Sequence, residues 1–233
     1  MRKKIVIETK DLRFAYPNTS KWILTGVNLK IKHKEIVALA GKMGTGKSTL
    51  LRHLNGIFTP QAGDVLINGQ SVKENPNRLF HQEVGLLFEN PDDQIFYPIV
   101  VDDIAFGPRN QGLSKSEVNK KILKACEEVK ILHLLERETT SLSFGEKTLV
   151  AIAGLLAMES EILLFDSPEV GLDLWTKPGI LNLLLSLKMN HTMVISTNDI
   201  DILNLADRIL LLWDGKIRGD YPDFQSFMKA LSK

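Results

Sequence analysis

The chain has 233 residues, of which 44% are hydrophobic, enough to bury a sizeable core as one large domain or as one domain carrying a subdomain. Lys and Arg number 29 against 28 Asp and Glu, and the formal net charge of +1 offers no global basic field for a nucleic acid or an acidic membrane surface. No apolar run reaches 18 residues and no signal-peptide core stands near the start, which predicts a soluble, cytoplasmic chain that reaches a membrane only through a partner.

Short segments with strand-like composition fill the first 40 residues and are separated by polar, proline or glycine residues typical of turns. KIVIETKDLRFAY, WILTGVNLKI and EIVALA are typical of short strands, and together they predict a small sheet. GDVLING, residues 63–69, adds a strand that ends at the turn pair Asn68 and Gly69.

A phosphate-binding loop is predicted by GKMGTGKST, residues 41–49, which follows the aliphatic EIVALA and precedes a helical pattern. Its glycines let the backbone curl so that N–H groups point at phosphate oxygens, and the helix N-terminus adds a positive dipole end. Lys47 would reach the β and γ phosphates, and the Ser48 hydroxyl would bind magnesium. The motif therefore predicts binding of a nucleoside triphosphate with Mg²⁺.

A helical segment is predicted over about 113–136, where apolar residues recur at helical spacing. Ser114 and Glu117 have the spacing of a capping box at its start. Cys126, the single cysteine, lies in this pattern and has no internal disulfide partner. We interpret it as a small core residue in a reducing compartment.

Aliphatic runs alternate with helical stretches in the last third of the chain, which indicates parallel strands joined by helices. EILLFD and TMVIST are two such runs, and the first delivers Asp166 at its end. RILLLWDGKIRGDY places Asp214 and Gly215 between two apolar runs, which predicts a hairpin. These elements predict an α/β fold with a parallel sheet.

TTSLSFGEKTLVAIAGLLAMESEILLFDSPEVGLD, residues 139–173, resembles the block of ATP-binding-cassette (ABC) proteins that runs from the signature motif through Walker B to the D-loop. The resemblance covers essentially the whole chain. Its motifs fall at Tyr16 (adenine-stacking aromatic), 41–49 (Walker A), Phe88-Glu89-Asn90 (Q-loop), 142–146 (signature), 162–166 (Walker B), 170–173 (D-loop) and 196–199 (switch region). Within the family, NPDDQIFYPIVVDDIAFGPRNQGL and AIAGLLAME look most like the A-component ATPases of energy-coupling factor transporters for cobalt, nickel and vitamins.

The resemblance implies one ABC nucleotide-binding domain over 1–233. In that fold a P-loop NTPase parallel-sheet core carries an N-terminal antiparallel β subdomain and a helical subdomain. We expect the core and β subdomain at about 1–94 and 156–233, and the helical subdomain at about 95–155.

The resemblance also implies partners. Two such ATPases form a head-to-tail dimer in which each ATP lies between the Walker motifs of one chain and the signature of the other. Closing on ATP and opening after hydrolysis would drive a transmembrane coupling subunit, which works with a substrate-binding membrane subunit. The chain would then lie peripherally on the cytoplasmic face of the membrane, with no nucleic-acid partner.

The implied site residues fall into three sets. Nucleotide binding is assigned to Tyr16, Gly41, Lys42, Met43, Gly44, Thr45, Gly46, Lys47, Ser48 and Thr49. The signature residues that meet the partner's ATP in trans are Ser143, Gly145 and Glu146. The ligands of Mg²⁺ are Ser48, Glu89 and Asp166.

Four positions depart from the family pattern. Ser167 stands where a glutamate polarises the attacking water, and a serine hydroxyl is far too weak a base at neutral pH. Asn198 stands where a switch histidine contacts the γ-phosphate, and an amide cannot carry positive charge. Glu89 replaces the Q-loop glutamine; it could still bind magnesium but adds negative charge there. Phe144 occupies a usual glycine position of the signature.

The first three of these departures converge on the γ-phosphate of one site and predict poor hydrolysis at the chain's own Walker site, where no catalytic base is assigned. The nucleotide-binding residues are intact, so the chain should still bind Mg-ATP. Two such sites would leave a homodimer inactive, so we predict a heterodimer with a paralogue whose competent site this chain completes. Glu169 and Asp199 are alternative bases. Pro168 separates Glu169 from the usual position, and Asp199 fits a helix N-cap.

Several residues have simpler interpretations. No two histidines have the spacing of metal ligands, so none is assigned to a metal. Trp22, Trp175 and Trp213 are interpreted as packing residues rather than nucleic-acid platforms. The aromatic residues of the 90–112 segment, which include Phe96 and Phe106, either pack in a core or form the docking site of a membrane subunit.

Two other functions remain open beside the transport ATPase. One is a soluble ABC ATPase of cofactor assembly or DNA maintenance, which would lack a membrane partner. The other is a regulatory module that binds ATP without raising a partner's turnover.

Overall fold

The computed structural model describes residues 4–17, 19, 21–76 and 78–232, and the contacts between residues divide the chain into two units. The first unit comprises 1–86, 161–166 and 187–233. The second comprises 87–160 and 167–186, so the chain passes from the first unit into the second after Leu86 and again after Asp166.

Among the described residues the chain forms ten strands. They are β1 (Ile5–Phe14), β2 (Leu24–Lys32), β3 (Ile36–Ala40), β4 (Ala62–Ile67), β5 (Gln70–Ser71), β6 (Val84–Leu87), β7 (Ile162–Asp166), β8 (Thr192–Ser196), β9 (Arg208–Trp213) and β10 (Lys216–Tyr221). Apart from Leu87 at the end of β6, they belong to the first unit.

A four-stranded sheet has the order β2-β1-β4-β5, with antiparallel pairing between neighbours. Asn68 and Gly69 join β4 to β5 with φ of 49° and 81°, as a primed two-residue hairpin turn requires. This sheet confirms the first two N-terminal strands and the strand of residues 63–69 that the sequence predicts. EIVALA was expected in the same small sheet, and that part of the prediction is wrong, because this segment forms β3 of the second sheet.

A six-stranded sheet has the order β10-β9-β3-β8-β7-β6. β3 is parallel to β8 and β9, and β7 is parallel to β8. Every residue of β3, β7 and β8 is buried, as expected for parallel strands covered on both faces. β9 and β10 form the predicted hairpin, with Asp214 and Gly215 at φ of 47° and 67°. The carboxyl ends of β3, β7 and β8 therefore meet at one edge of this sheet.

The helices are distributed between the two units. The first unit contains α1 (Lys47–Leu54), α6 (Ile200–Leu205) and α7 (Phe224–Leu231). The second contains α2 (Val100–Asn110), α3 (Lys115–Glu128), α4 (Phe144–Ala157) and nearly all of α5 (Lys177–Leu187). Short 3-10 turns lie at Phe80–Gln82, Pro91–Asp93, Leu132–Leu134 and Thr139–Ser141.

In the second unit, α2, α3 and α4 pack on one another. The predicted capping box begins α3: the Ser114 hydroxyl accepts the Glu117 N–H, and the Glu117 carboxylate accepts the Ser114 N–H. The helix is shorter than the predicted 113–136, because Lys130 at φ of 61° ends it and a 3-10 turn follows.

Cys126 is buried in α3, as predicted. Burial raises the pKa of its thiol to about 11, so the thiolate is not populated at neutral pH. No helix in the described ranges combines the length and the apolar character needed to cross a bilayer.

Candidate nucleotide-binding site

The P-loop connects the end of β3 to the start of α1. Gly41 is buried, and a Cβ on it would lie 2.3 Å from the backbone oxygen of Leu212, so no other residue fits there without moving backbone. Gly46 is the N-cap of α1 at φ of 99°, and it has no side chain to bond the first-turn N–H groups. These N–H groups can therefore donate to an anion at the positive end of the helix.

Lys47 folds its ammonium into the loop. Its Nζ donates to the backbone oxygens of Gly41 at 2.9 Å and Lys42 at 3.2 Å. Ser48 follows it and is half-buried. The loop thus combines a cation, a hydroxyl and helix N–H groups in one turn of chain, which is the chemistry of a triphosphate cradle.

Tyr16 is partly exposed just beyond β1 and is fixed by its ring and its hydroxyl. The ring meets Phe14 and Phe58 edge-on, with centroid distances of 5.2 Å and 6.1 Å. The hydroxyl is 2.9 Å from the buried Thr49 hydroxyl, the last residue of the P-loop motif. Two residues predicted to bind nucleotide are thereby brought together within the first unit.

Asp166 ends β7 and is 6% exposed. It lies opposite Ser196 in the β7–β8 register, and the Ser196 hydroxyl donates to Asp166 Oδ1 at 2.6 Å. This bond orients the Asp166 carboxylate. Sequence reasoning did not single out Ser196, because its pairing with Asp166 depends on the register of β7 against β8, and aligning EILLFD with TMVIST residue by residue would have paired Asp166 with Thr197 instead.

Asn198 forms two hydrogen bonds with one residue of the P-loop. Its Oδ1 accepts the Gly41 N–H at 3.2 Å, and its Nδ2 donates to the Gly41 carbonyl at 3.0 Å. The next residue, Asp199, accepts N–H groups of Asp201 and Ile202 as the N-cap of α6. The simpler interpretation of Asp199, a helix cap, is confirmed.

The P-loop, Tyr16, Asp166 and Asn198 belong to the first unit, and the second unit carries the remaining predicted site residues. Ser167 has φ of 49°, and its carbonyl accepts the Val170 N–H at 3.0 Å. A non-glycine residue in this region is uncommon and costs about 1 to 2 kcal/mol of backbone energy. Glu89 is exposed just after β6.

The signature segment begins α4. The Ser143 hydroxyl caps the helix by accepting the Glu146 N–H at 3.3 Å, and the Glu146 carboxylate accepts the Ser143 N–H at 2.7 Å. That bond, with smaller contributions that include the Arg137 guanidinium, lowers the pKa of Glu146. The two predicted signature residues therefore form a capping box.

Two glycines allow close packing around the signature. A Cβ on the buried Gly145 would lie 2.5 Å from Thr176 Cγ2. A Cβ on Gly171, in the predicted D-loop, would lie 2.8 Å from the ring of Phe144. The unusual signature residue Phe144 thus packs against the D-loop of the same unit.

The donor set fits Mg²⁺ as a P-loop protein binds it. Across the ranges that the structure describes, no cluster of three or more His, Cys, Asp or Glu could hold a metal alone. A magnesium ion bound with a nucleotide needs few protein ligands, because phosphate oxygens and waters complete its octahedron. The Ser48 hydroxyl and the oriented Asp166 carboxylate are ligands of the right chemistry.

The tryptophans are not the packing residues that the sequence predicts. Trp22, Trp175 and Trp213 are 47%, 91% and 36% exposed. Trp22 and Trp213 line a cavity of about 390 Å³ beside the P-loop. The Lys42 ammonium lies 4.5 Å from the centroid of the Trp213 ring, a cation–π contact. Hydrophobic character alone did not reveal that these side chains stand at the surface.

The aromatic side chains near α2 form an exposed group. The Phe96 ring meets the Tyr97 and Phe106 rings at centroid distances of 4.9 Å and 4.8 Å. Phe96 and Phe106 are 62% and 41% exposed, so neither is a core residue of the helical unit. Of the two alternatives for these aromatic residues, core packing is wrong for Phe96 and Phe106.

Comparison with known proteins identifies close relatives. The family model described as ABC transporter matches residues 24–170. The energy-coupling factor transporter ATP-binding protein EcfA of Methanocaldococcus jannaschii is 45% identical over 97% of this chain and 84% of its own length. EcfA of Methanothermobacter thermautotrophicus is 42% identical over 97% of this chain and 73% of its own.

Solved structures show the same fold. The CbiO1 protein of Clostridium perfringens, described as part of the ABC transporter complex CbiONQ, superposes with a TM-score of 0.84 at 31% identity, covering 98% of this chain and 92% of that one. A dimeric ATP-binding cassette in a post-hydrolysis state, bound to ADP and phosphate, superposes with a TM-score of 0.84 at 26% identity over 93% and 98% of the two chains.

Proposed function

This chain belongs to the ABC transporter family, and from that premise we propose that it is the hydrolysis-impaired ATP-binding subunit of an energy-coupling factor transporter. The relatives are ATP-binding subunits of energy-coupling factor transporters, and ATP binding is the function that they share with this chain.

Nucleotide binding rests on groups of the first unit. The helix N–H groups and Lys47 bind the phosphates, and Tyr16 stacks on the adenine. Ser48 and Asp166 hold Mg²⁺, which neutralises charge on the phosphate oxygens. Ser196 orients Asp166 for this task.

The observation that carries the impaired-hydrolysis proposal is the residue after Asp166. Ser167 has no group that takes a proton from water at neutral pH. Loss of a positioned base costs about 100- to 10,000-fold in rate. Asp199, one alternative base, already accepts two N–H groups as a helix cap, which ties its carboxylate to α6.

Two residues of the signature, Ser143 and Gly145, are retained, which supports a role at a second site. Ser143 and Gly145 keep the residue types that bind a γ-phosphate in trans, at the N-terminus of the 14-residue helix α4. We therefore propose a heterodimer in which a paralogous ATPase contributes the catalytic glutamate and this chain contributes the signature.

The membrane partner is proposed from the exposed aromatic group of Phe96, Tyr97 and Phe106. Aromatic side chains are enriched at protein interfaces, and here they are held together at the surface of the helical unit. A coupling subunit that docks there would transmit ATP-driven closure to the membrane. We propose a vitamin or a transition-metal ion as the cargo, on the basis of the sequence resemblance to A-component ATPases of transporters for cobalt, nickel and vitamins.

The experiment that tests the proposal measures binding and steady-state hydrolysis of ATP by the purified chain alone. We expect tight Mg-ATP binding with turnover no higher than that of a Lys47→Ala variant, which serves as the contamination control. In the native chain, the Ser167→Glu substitution should raise ATP turnover by at least about tenfold if the missing base is the main defect.

Robust turnover by the native chain that disappears in Lys47→Ala would contradict the impaired site. It would mean that another group, such as Glu169 or Glu89, acts as the base, and the need for a paralogue would lose its support.

A further inference from the structure

Asn198 continues the pairing of two strands beyond the point where the sheet ends. β3 and β8 are parallel neighbours up to Leu39 and Ser196, and the next N–H, from Thr197, donates to the Leu39 carbonyl at 3.2 Å. One step further, β3 has become the P-loop. There the side-chain amide of Asn198 supplies both the acceptor and the donor that a peptide group would offer to Gly41.

The last residues of β9 also contact the start of the P-loop. A Cβ on Gly41 would lie 2.3 Å from the Leu212 backbone oxygen, and the Trp213 ring lies under the Lys42 ammonium. The Gly41 carbonyl, which accepts from Asn198, also accepts from Lys47 Nζ at 2.9 Å. Asn198 therefore acts on the residue that sets both the position of the loop and the position of its lysine.

We propose that Asn198 is a positioning residue that holds the first glycine of the P-loop in place. It strengthens the binding of ATP and of ADP equally and does not contact the γ-phosphate. The proposal rests on the proposed function, because it assumes that the P-loop binds nucleotide. Asn198 at the switch position therefore has a role of its own and is more than the loss of a histidine.

The chemistry of the amide explains why asparagine suits this role. Its oxygen and nitrogen lie side by side on one carbon, so both can bond the N–H and the C=O of one residue. A neutral imidazole has one donor and one acceptor that point away from each other across the ring. A histidine at this position could form one of the two bonds with Gly41 but not both.

The test is to measure the affinities of Mg-ATP and Mg-ADP for the native chain and for Asn198→Ala, Asn198→His and Asn190→Ala. Asn190 is an exposed asparagine in the turn after α5 and serves as the matched control. Thermal unfolding of each variant, recorded without nucleotide, verifies that the proteins are folded.

We expect Asn198→Ala to weaken both nucleotides by the same factor, about threefold to tenfold, because two partly exposed hydrogen bonds are lost. The ratio of the two affinities should stay within about twofold of the native ratio. Asn198→His should behave like Asn198→Ala toward ADP, and Asn190→Ala should change neither affinity. A second variant, Trp213→Leu, should also lower the affinities for both nucleotides together, because it removes the contact between the Trp213 ring and the Lys42 ammonium of the loop.

Two results would overturn the inference. If Asn198→Ala weakened ATP by tenfold or more and left ADP unchanged, the amide would be a γ-phosphate contact. If it weakened neither nucleotide, the bonds to Gly41 would be without effect on the loop. A native chain that binds neither nucleotide would contradict the proposed function, and this inference with it, before any substitution is compared.

Discussion

Gly41 and Asp166 show how single residues are fixed at the site by the strands that deliver them. Gly41 is pressed against the Leu212 backbone and bonded by Asn198, and Asp166 is bonded by Ser196. Each contact joins the ends of strands that are neighbours in the sheet. A residue at the carboxyl end of one strand therefore receives its orientation from the next strand.

Ser196→Ala should weaken magnesium binding without abolishing nucleotide binding. Ser196 is 0% exposed and donates to Asp166 at 2.6 Å, so its loss leaves the carboxylate free to turn. Loss of such an orienting partner typically lowers metal affinity by about 10- to 100-fold. The measurement is ATP binding as a function of Mg²⁺ concentration, whose midpoint should rise by about that factor.

Ser186→Ala provides the matched control for this substitution. The Ser186 hydroxyl donates to the Leu183 carbonyl at 2.7 Å, and the residue lies at an exposed position of α5. Its removal should leave the Mg²⁺ midpoint unchanged. An unchanged midpoint in Ser196→Ala as well would show that Asp166 needs no such support.

At the scale of elements, α1 carries a buried histidine behind the P-loop. His53 is 0% exposed; its Nδ1 donates to the Thr49 carbonyl at 2.7 Å, and its ring lies against Phe14 and Phe58. Nε2 has no hydrogen-bond partner among the described residues. Burial lowers the pKa of His53 from 6.5 to about 4, and the bond to Thr49 opposes this only in part.

His53 should make the chain less stable as pH falls from 6.5 toward 4. In that range the unfolded chain binds a proton that the folded chain does not, so protonation favours unfolding; above 6.5 the stability is fully present. Between about pH 7.5 and pH 5 the free energy of unfolding should fall by about 2 kcal/mol from this residue. Urea unfolding at the two pH values measures the change.

His53→Leu should remove that part of the pH dependence, whereas the same substitution at the exposed His33 should retain it. Equal pH dependence in the native chain and in His53→Leu would show that the buried imidazole is not the group responsible.

Two helices of the second unit begin with the same capping box, and only one of them is the signature. Ser114 with Glu117 caps α3, and Ser143 with Glu146 caps α4. Ser114→Ala and Ser143→Ala should each lower the free energy of unfolding by about 1 kcal/mol, because each removes an N-cap.

Only Ser143→Ala should lower the ATPase activity of the complex with a competent paralogue. We expect a loss of at least about tenfold, as for removal of one donor from a preorganised anion site. Chemical denaturation of each variant and steady-state hydrolysis by each complex separate the two effects. Equal activities for the two variants would contradict the role of Ser143 in trans.

Local elements were predictable from sequence because their signals are local. The P-loop, the capping box at Ser114 and the hairpin at Asp214 and Gly215 each depend on residues a few positions apart. The bond between Asn198 and Gly41 joins residues 157 positions apart, and it exists only because β3 and β8 are neighbours. Strand order is a property of the whole sheet, so the sequence placed Asn198 near the site without revealing its partner.

At the scale of the whole molecule, the proposed combination of an impaired Walker site with the retained signature residues Ser143 and Gly145 predicts an asymmetric complex. A heterodimer with a competent paralogue should bind two ATP and form one ADP in a single turnover, because only the paralogue's site contains a base. Ser167→Ala should change the rate by less than about twofold, since the hydroxyl is not a base. Replacing the paralogue's catalytic glutamate by glutamine should abolish turnover. Rapid chemical quench of the loaded complex measures ADP per complex; a value of two, or turnover that survives the paralogue's substitution, would mean that this chain hydrolyses ATP itself.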